Sequence, residues 1–343
     1  MKKTLLSSKA VLVASVIASV MLLPSIASAA SYKKQTILVA SANNPSSAHG
    51  VTLNKFKEIV EKESEGAINV KVFLSGSMGD ETANVKQLRN EELHLTTVFT
   101  GNLTPFAPSA NVLVLPYLFS NLNEAYSVLG NEKFTSMLSS QILKESNVRP
   151  LGWIIGGFRS ITNSKKPILK IEDLQGLKIR VSPSATQLEA FRAWGIEPQP
   201  MAWSETYNAL QMGVVDGQEN SYAINRDMKF WEIQKYMTEI HYMLWTGAIL
   251  ASERWFNKLD ADTKALVVRA TNEAQKAEWV FAAAYEEECK KESIAKGMKV
   301  DYLTDEDKWK EKARAIWPQF VKTPEMKALT ENALGIIASL PKK

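Results

Sequence analysis

"QTILVASANNPSSAHGVTLNKFKEIVEKESEGAINVKVFL", residues Gln35–Leu74, holds the unit from which the fold is read. "QTILVAS" (Gln35–Ser41) is an apolar run of strand length, and "GVTLNKFKEIVEKES" sets Leu53, Phe56, Ile59 and Val60 on one face at helical spacing. "INVKVFL" (Ile68–Leu74) alternates as a strand does. "ETANVKQLRNEE" then reads as a helix and "LHLTTVF" (Leu93–Phe99) as a third strand. Strands alternating with helices predict an α/β fold, a parallel sheet with helices on both faces.

"NVLVLPYLF" and two helices ending near Glu145 lead to a second series. It opens at "VRPLGWIIGGFRSITNS" (Val148–Ser164), an extended run interrupted by Gly156–Gly157. "LKIRV" (Leu177–Val181) is a strand, "SATQLEAFRAW" a helix, and "SETYNALQMG" a helix stopped by Gly213. "VVDGQEN" (Val214–Asn220) ends that helix and turns with polar residues. "EIHYMLWTGAILAS" (Glu239–Ser252) is extended again. From Asp260 to about Ala295 one helical pattern runs without Gly or Pro. It would reach about 50 Å, enough to brace two domains at once. With no repeats, low-complexity tracts or flexible linker, crossing strands are expected to join the domains.

The first thirty residues bear on compartment. Lys2, Lys3 and Lys9 precede the apolar run "VLVASVIASVMLL", and "ASA" (Ala27–Ala29) follows. A basic head, a short apolar body and an A-x-A end describe a secretory signal peptide, with cleavage expected after Ala29 and a periplasmic product. The alternative, an uncleaved anchor, asks for a longer apolar run, about 20 residues. The chain carries 41 basic and 37 acidic residues, a net charge of +4. Residues 1–29 contain three lysines and no acid, so 38 basic residues face 37 acidic ones in the rest. That balance argues against nucleic acid as a partner, because such binding rests on phosphate neutralisation.

Enzyme signatures are absent. His49, His94 and His241 are far apart in sequence, with no H-E-x-x-H spacing, and Cys289 is the only cysteine. No zinc, other metal, cofactor or intrachain disulfide is expected. Cys289 lies in the charged stretch "YEEECKKES" and reads as a surface or half-buried thiol. There is no G-x-S-x-G elbow, P-loop or G-x-G-x-x-G, and no catalytic residue is assigned.

What remains is a group of polar residues at strand ends, where open α/β sheets bind ligands. Arg180 sits in "LKIRV", Arg159 follows the glycine pair in "GGFRSITN", and Asn220 closes "VVDGQEN". An arginine fork suits a carboxylate held by parallel hydrogen bonds. Two readings of Arg180 stand at this point: it pairs with a structural acid such as Asp216, or it waits for an anionic ligand. A buried guanidinium without an anion costs several kcal/mol.

"IEDLQGLKIRVSPSA" followed by "GIEPQPMAWSETYNALQMGVVDGQEN", with "SGSMGDE" at Ser75–Glu81, closely resembles the solute-binding proteins of TRAP transporters, the tripartite ATP-independent periplasmic systems. The likeness covers essentially the whole chain after the signal. It implies a two-domain periplasmic-binding-protein fold, each domain a sheet flanked by helices, with the ligand cleft between them and the long helix bracing both. The expected divisions are 1–29 for the signal, 30–156 with 242–285 for the first domain, and 157–241 with 286–343 for the second. The resemblance assigns the ligand carboxylate to Arg180, assisted by Arg159 and Asn220. Ser221 departs from the proline frequent at that position, which bears only on the local turn. Implied partners are a small-molecule carboxylate and the membrane subunits of a TRAP permease; a monomer is expected.

By alignment with sialic-acid-binding members of that family, Phe99 replaces an acidic residue, Trp203 is the aromatic before "S-E", and Trp245 takes a polar position. Glu81 carries over from "GDE" and would receive an amino or hydroxyl group. Three aromatic rings with one charged end suit an aromatic or otherwise apolar α-substituted monocarboxylate. The alternatives are a C4-dicarboxylate or sugar-acid binder of the same family, or a ligand sensor for a signalling receptor.

Overall fold

The computed structural model of the protein describes residues 32–341, and the expected signal peptide with its cleavage point at Ala29 lies outside the described residues. The first unit forms as expected: β1 (Gln35–Ala40), α1 (Ala48–Glu63), β2 (Ile68–Phe73), α2 (Glu81–Asn90) and β3 (Leu95–Phe99). Local chemistry starts each helix. The Ser47 hydroxyl accepts from the Gly50 N–H at 3.1 Å and the Asp80 carboxylate from the Ala83 N–H at 2.7 Å. Each meets a donor that the helix itself leaves unpaired. Ile37 and Val39 of β1 enter one core with Leu53, Phe56 and Val60 of α1, while Ala40 enters a second core with Val98 and Leu250. Both faces of the sheet are therefore covered, as near-continuous apolar strands require.

A short helix α3 (Thr100–Leu103) continues β3, and α4 (Leu122–Leu129) and α5 (Glu132–Ser146) follow. The long strand β4 (Val148–Asn163) leads to β5 (Ile179–Val181), α6 (Ala185–Ala193), β6 (Gln199–Pro200), α7 (Trp203–Gln211), β7 (Gly217–Asn220) and α8 (Tyr222–Asp227). The second long strand β8 (Tyr236–Ser252) is followed by α9 (Glu253–Lys258), α10 (Ala261–Ala295) and β9 (Lys299–Tyr302). Helices α11 (Glu306–Arg314), α12 (Trp317–Phe320) and α13 (Pro324–Ala338) complete the described chain. Among the described residues no helix is long and apolar enough to cross a membrane.

The strands form one sheet in the order β2-β1-β3-β8-β4-β7-β5-β6, with β9 also beside β8. The α/β class with flanking helices and a long helix stands, with two refinements. The sheet is mixed, because β3–β8, β8–β4 and β4–β7 are antiparallel. The two expected sheets are also the two ends of a single one, since β4 and β8 run through both. Helix α13 packs its Met326, Leu329 and Ala333 into the core that holds Val128 and Leu138 of α4 and α5.

Two local readings change. "GQEN" forms a buried strand between β4 and β5, not a turn. A Cβ at Gly217 would stand 2.1 Å from the Thr162 carbonyl oxygen, so only glycine lets the strands meet. The polar side chains find partners inside: Gln218 donates to the Thr162 hydroxyl and the Asn225 side-chain carbonyl, both at 2.9 Å. Cys289 is fully buried, packed with Tyr222, Met237, Tyr285 and Met298. The charged sequence around it hides the one helical face that α8 and β8 cover.

Between Phe158 and Ser160 the β4–β8 register shifts. One residue of β4 faces the four residues Ile240–Met243, and His241 adopts φ 44°. Helix α10 lies along this irregular crossing. On the side of β4 away from β8, Gln275 accepts from the Trp153 N–H at 2.7 Å and Glu278 from the Ile155 N–H at 3.1 Å. The Trp279 indole donates to the Trp153 carbonyl at 2.8 Å. Further along, Glu286 accepts from the Tyr222 and Ala223 N–H groups at 2.8 and 2.9 Å. The helix thus satisfies backbone groups that no neighbouring strand reaches.

A Cβ at Gly157 would lie 2.0 Å from the Glu286 carboxyl carbon. Gly157→Ala should drive that carboxylate off two buried amides and lower stability by at least about 2 kcal/mol in denaturant unfolding. Because Glu286→Ala removes the same contact, the two losses should combine to less than their sum. Fully additive losses would show that Gly157 is required for another reason.

Candidate ligand-binding cleft

All seven residues singled out from the sequence line one small cavity: Glu81, Phe99, Arg159, Arg180, Trp203, Asn220 and Trp245. The topology explains the convergence. Phe99 ends β3, Asn220 ends β7, Arg180 is the middle residue of β5, and Glu81 and Trp203 open α2 and α7. Arg159 and Trp245 come from the crossing strands β4 and β8. Next to it lies a wider cavity of about 450 Å³, which shares Asn43, Trp203 and Ile224 with the inner one.

The two arginines differ in state. Arg159 is paired: its Nε and Nη2 grip the Glu219 carboxylate, and Nη2 also donates to the Glu219 carbonyl at 2.7 Å. Glu219 is fully buried and accepts further bonds from Gln187 at 2.8 Å and the Tyr242 hydroxyl at 2.8 Å. Burial opposes the Arg159 charge, but Glu219 outweighs it and the guanidinium pKa is raised. Only Nη1 of Arg159 is buried without a partner.

Among the described residues Arg180 has no carboxylate partner. Its Nε and Nη2 both donate to the Met201 carbonyl, at 3.1 and 2.7 Å, and its guanidinium lies 5.6 Å from the Trp203 ring. Burial pushes its pKa down to about 10, opposed by Glu219 and assisted by the positive Arg159. Asp216 is not its partner; that carboxylate accepts from the Lys178 N–H at 2.9 Å and lies 3.6 Å from the Lys165 ammonium. The cleft therefore holds one cation with no carboxylate partner.

Glu81 is the buried acid on the other side. It accepts from the Phe99 N–H at 3.0 Å, the Asn102 amide at 2.7 Å and the Asn43 amide at 3.3 Å. Burial raises its pKa to about 7 against these three donors. His49, 3.7 Å away, is held neutral at pH 7 because burial lowers its pKa to about 3. The rings are packed mostly on protein. Phe99 stacks on Trp245 at 6.0 Å and carries the Arg159 guanidinium at 4.7 Å, and Trp203 meets Phe230 edge-on. Asn220 donates to Gln218 at 2.8 Å.

Sequence reasoning missed Asn43, His49, Asn102 and Ser182, which also line the cavity. Asn43 follows the carboxyl end of β1, so the strand-end rule alone was enough to find it. His49 had been weighed only as a metal ligand. Asn102 lies three residues past Phe99, in the short helix α3 to which the sequence reading gave no element.

A cleft across one sheet, bridged by two long strands and carrying one cation without a carboxylate partner among the described residues, defines a two-lobed ligand-binding protein. The family model for "bacterial extracellular solute-binding protein, family 7" matches residues 39–323, and the chain belongs to this family, the solute-binding proteins of TRAP transporters. The chain is 39% identical to a TRAP periplasmic solute-binding protein from Rhodobacter sphaeroides, described as apo and open; the match covers 88% of this chain and 99% of that one, with a TM-score of 0.74. It is 28% identical to the sugar acid binding protein DctPAm from Advenella mimigardefordensis in complex with galactonate, covering 89% and 99%, with a TM-score of 0.84. A TRAP solute-binding protein from a Bordetella, its density assigned to pantoate, is 27% identical over 87% and 99%, with a TM-score of 0.81. The two relatives solved with a ligand superpose better than the open one, despite their lower identity.

A carboxyl whose pKa is higher folded than unfolded binds more protons in the folded state between the two values. Glu81, raised from 4.5 to about 7, therefore favours folding most below pH 4.5, and that contribution is lost as pH rises to about 7. Glu286, raised to about 7 chiefly by burial, has the same sign. In denaturant unfolding across this window, Glu81→Gln should lose less stability with rising pH than the wild type. Parallel pH slopes would mean that Glu81 ionises as freely in the fold as in water.

Proposed function

We propose that the protein captures one small α-substituted monocarboxylate with an apolar skeleton, closes on it, and delivers it to the membrane subunits of a TRAP permease. The observation that carries this is Arg180: a buried guanidinium whose only acceptor among the described residues is the neutral Met201 carbonyl, beside a second arginine already neutralised by Glu219. One carboxylate fits that charge, with Arg159 Nη1 as a second donor and Asn220 at the rim. A second carboxylate finds no free cation, which disfavours C4-dicarboxylates. Phe99, Trp203 and Trp245 would pack the skeleton of the acid, and the small cavity favours a compact one. The rings' engagement with one another favours a branched or short chain over a flat aromatic ring that needs a free face to stack on. The Bordetella relative with pantoate supports this reading. A sugar acid is the second reading, supported by the polar side chains of Asn43 and Asn102 in the cavity and by the galactonate-bound relative.

The lobes we assign are 30–156 with 242–285, and 157–241 with 286 onward, with α13 carried by the first. Closure turns on the irregular crossing at Gly156–Arg159 and Ile240–Met243. At the mouth, Ser46 donates to the Asp227 carboxylate at 3.2 Å and Asn44 to the Asp227 carbonyl at 3.4 Å, contacts that join the two lobes. Export to the periplasm and action as a monomer, without nucleic acid, complete the proposal.

Arg180→Ala should abolish capture without loss of fold. Affinity for pantoate or another bound acid should fall by at least tens- to hundredfold, about 2–3 kcal/mol, in calorimetry. Its unliganded unfolding midpoint should be no lower than wild type, because removing a desolvated cation relieves a penalty. Arg180→Lys should also bind poorly, since a point charge does not reproduce the fork. Near-native affinity in Arg180→Ala would overturn the assignment.

A further inference from the structure

Asn102 sits in α3, directly after β3, and its position is fixed on both sides. The Thr100 hydroxyl donates to the Thr246 carbonyl at 2.9 Å and the Thr104 hydroxyl to the Gly101 carbonyl at 2.8 Å. The orientation of the Asn102 amide is also fixed. Its Nδ2 donates at 2.7 Å to the Glu81 oxygen that accepts from the Phe99 N–H. That Glu81 oxygen already acts as an acceptor toward Phe99, so the amide nitrogen faces Glu81 and Oδ1 faces away. That Oδ1 is buried and has no partner among the described residues. A buried acceptor left unmet is uncommon and asks for a donor.

Within the same lining, Arg159 Nη1 is a buried donor with no acceptor among the described residues. A bare carboxylate satisfies Arg159 and Arg180 but brings no proton for Asn102. An ammonium brings protons but adds a buried charge to a cleft that already holds two guanidiniums. A hydroxyl beside the carboxylate donates to Asn102 Oδ1 without adding charge.

We infer that Asn102 is a specificity-determining residue whose side-chain carbonyl accepts a hydrogen bond from a ligand hydroxyl, so that the solute is a hydroxy acid with the hydroxyl close to its carboxylate. Glu81 is then the residue that orients Asn102, not the group that takes the ligand's donor. This rests on the reading of the cleft as a carboxylate site, and the test separates the two.

Two matched acid pairs differ only by the hydroxyl: 2-hydroxy-3-methylbutanoate against 3-methylbutanoate, and mandelate against phenylacetate. Calorimetry on the purified wild type should show at least tenfold tighter binding of the hydroxylated member in the pair that fits the cavity. Asn102→Leu and Asn102→Ala should reduce that ratio to about twofold, while binding of the deoxy acid changes by less than about threefold. A structural role for Asn102 would weaken both members alike and leave the ratio unchanged. Arg180→Ala should lose both members. A hydroxyl preference that survives in both folded Asn102 variants overturns the inference, as does silence of the wild type toward all four acids. Equal binding by wild type and Arg180→Ala would instead overturn the carboxylate reading beneath it.

Discussion

The buried ion pair of Arg159 and Glu219 is the interaction on which the site depends. It joins β4 to β7 where Ile161 faces Glu219 in the ladder and Ser160 faces Asn220. Two charges removed from water are tolerable only if the geometry is good and their remaining hydrogen bonds are met. Here Gln187 and Tyr242 complete the shell of Glu219. The consequence reaches Arg180. With the local anion committed to Arg159, the neighbouring guanidinium is left with a peptide carbonyl and a lowered pKa. The pair therefore sets both the geometry of the site and its charge deficit.

That deficit matters only if the cleft can open, and the crossing strands are where we propose it does. A regular antiparallel ladder resists bending, whereas β4 and β8 lose register beside Arg159. Beside the crossing, α10 takes backbone donors on the open edge of β4 with Gln275 and Glu278, and those at the start of α8 with Glu286. Side-chain acceptors on one rigid helix hold these groups while allowing small changes of strand angle, which a strand partner in fixed register would not. Glu286 has a further role. The amides it binds belong to Tyr222 and Ala223, two and three residues past Asn220, so the ligand strand and the helix are coupled directly.

Much of this was legible in the sequence, and the failures have physical causes. The βαβαβ unit was readable because Leu53, Phe56 and Val60 repeat at helical spacing between two strand-like runs. The convergence of Arg159, Arg180 and Asn220 followed from strand ends together with family likeness. "GQEN" was misread because polar residues in a strand are unfavourable unless partners exist, and those partners, Thr162 and Arg159, lie about 60 residues away in the chain. The same non-locality hid the pairing of Arg159: nothing near it in sequence announces Glu219. The aromatic residues were placed in the cleft, but whether a ring keeps a free face depends on its neighbours in space. Phe99 is covered by Arg159 on one contact and Trp245 on another. Asn102 escaped because its role depends on which end of an amide Glu81 holds.

The charge deficit gives closure its selectivity. In an open, wet cleft the Arg180 guanidinium is solvated, and closing without a ligand strips that water and offers only the Met201 carbonyl in return. The closed state is thus disfavoured by the desolvation of one cation, opposed by contacts such as Ser46 with Asp227 at the mouth. A ligand shifts this balance only through interactions that are stronger in the closed form. A carboxylate does so, because its attraction to Arg180 grows as water leaves and the effective dielectric falls. A neutral solute of the same shape gains apolar burial but leaves the cation unmet. In the proposed reading a dicarboxylate would meet it once and then strand its second charge against Phe99 and Trp245. Discrimination therefore resides less in the strength of any single contact than in which solutes remove the penalty that closure itself creates.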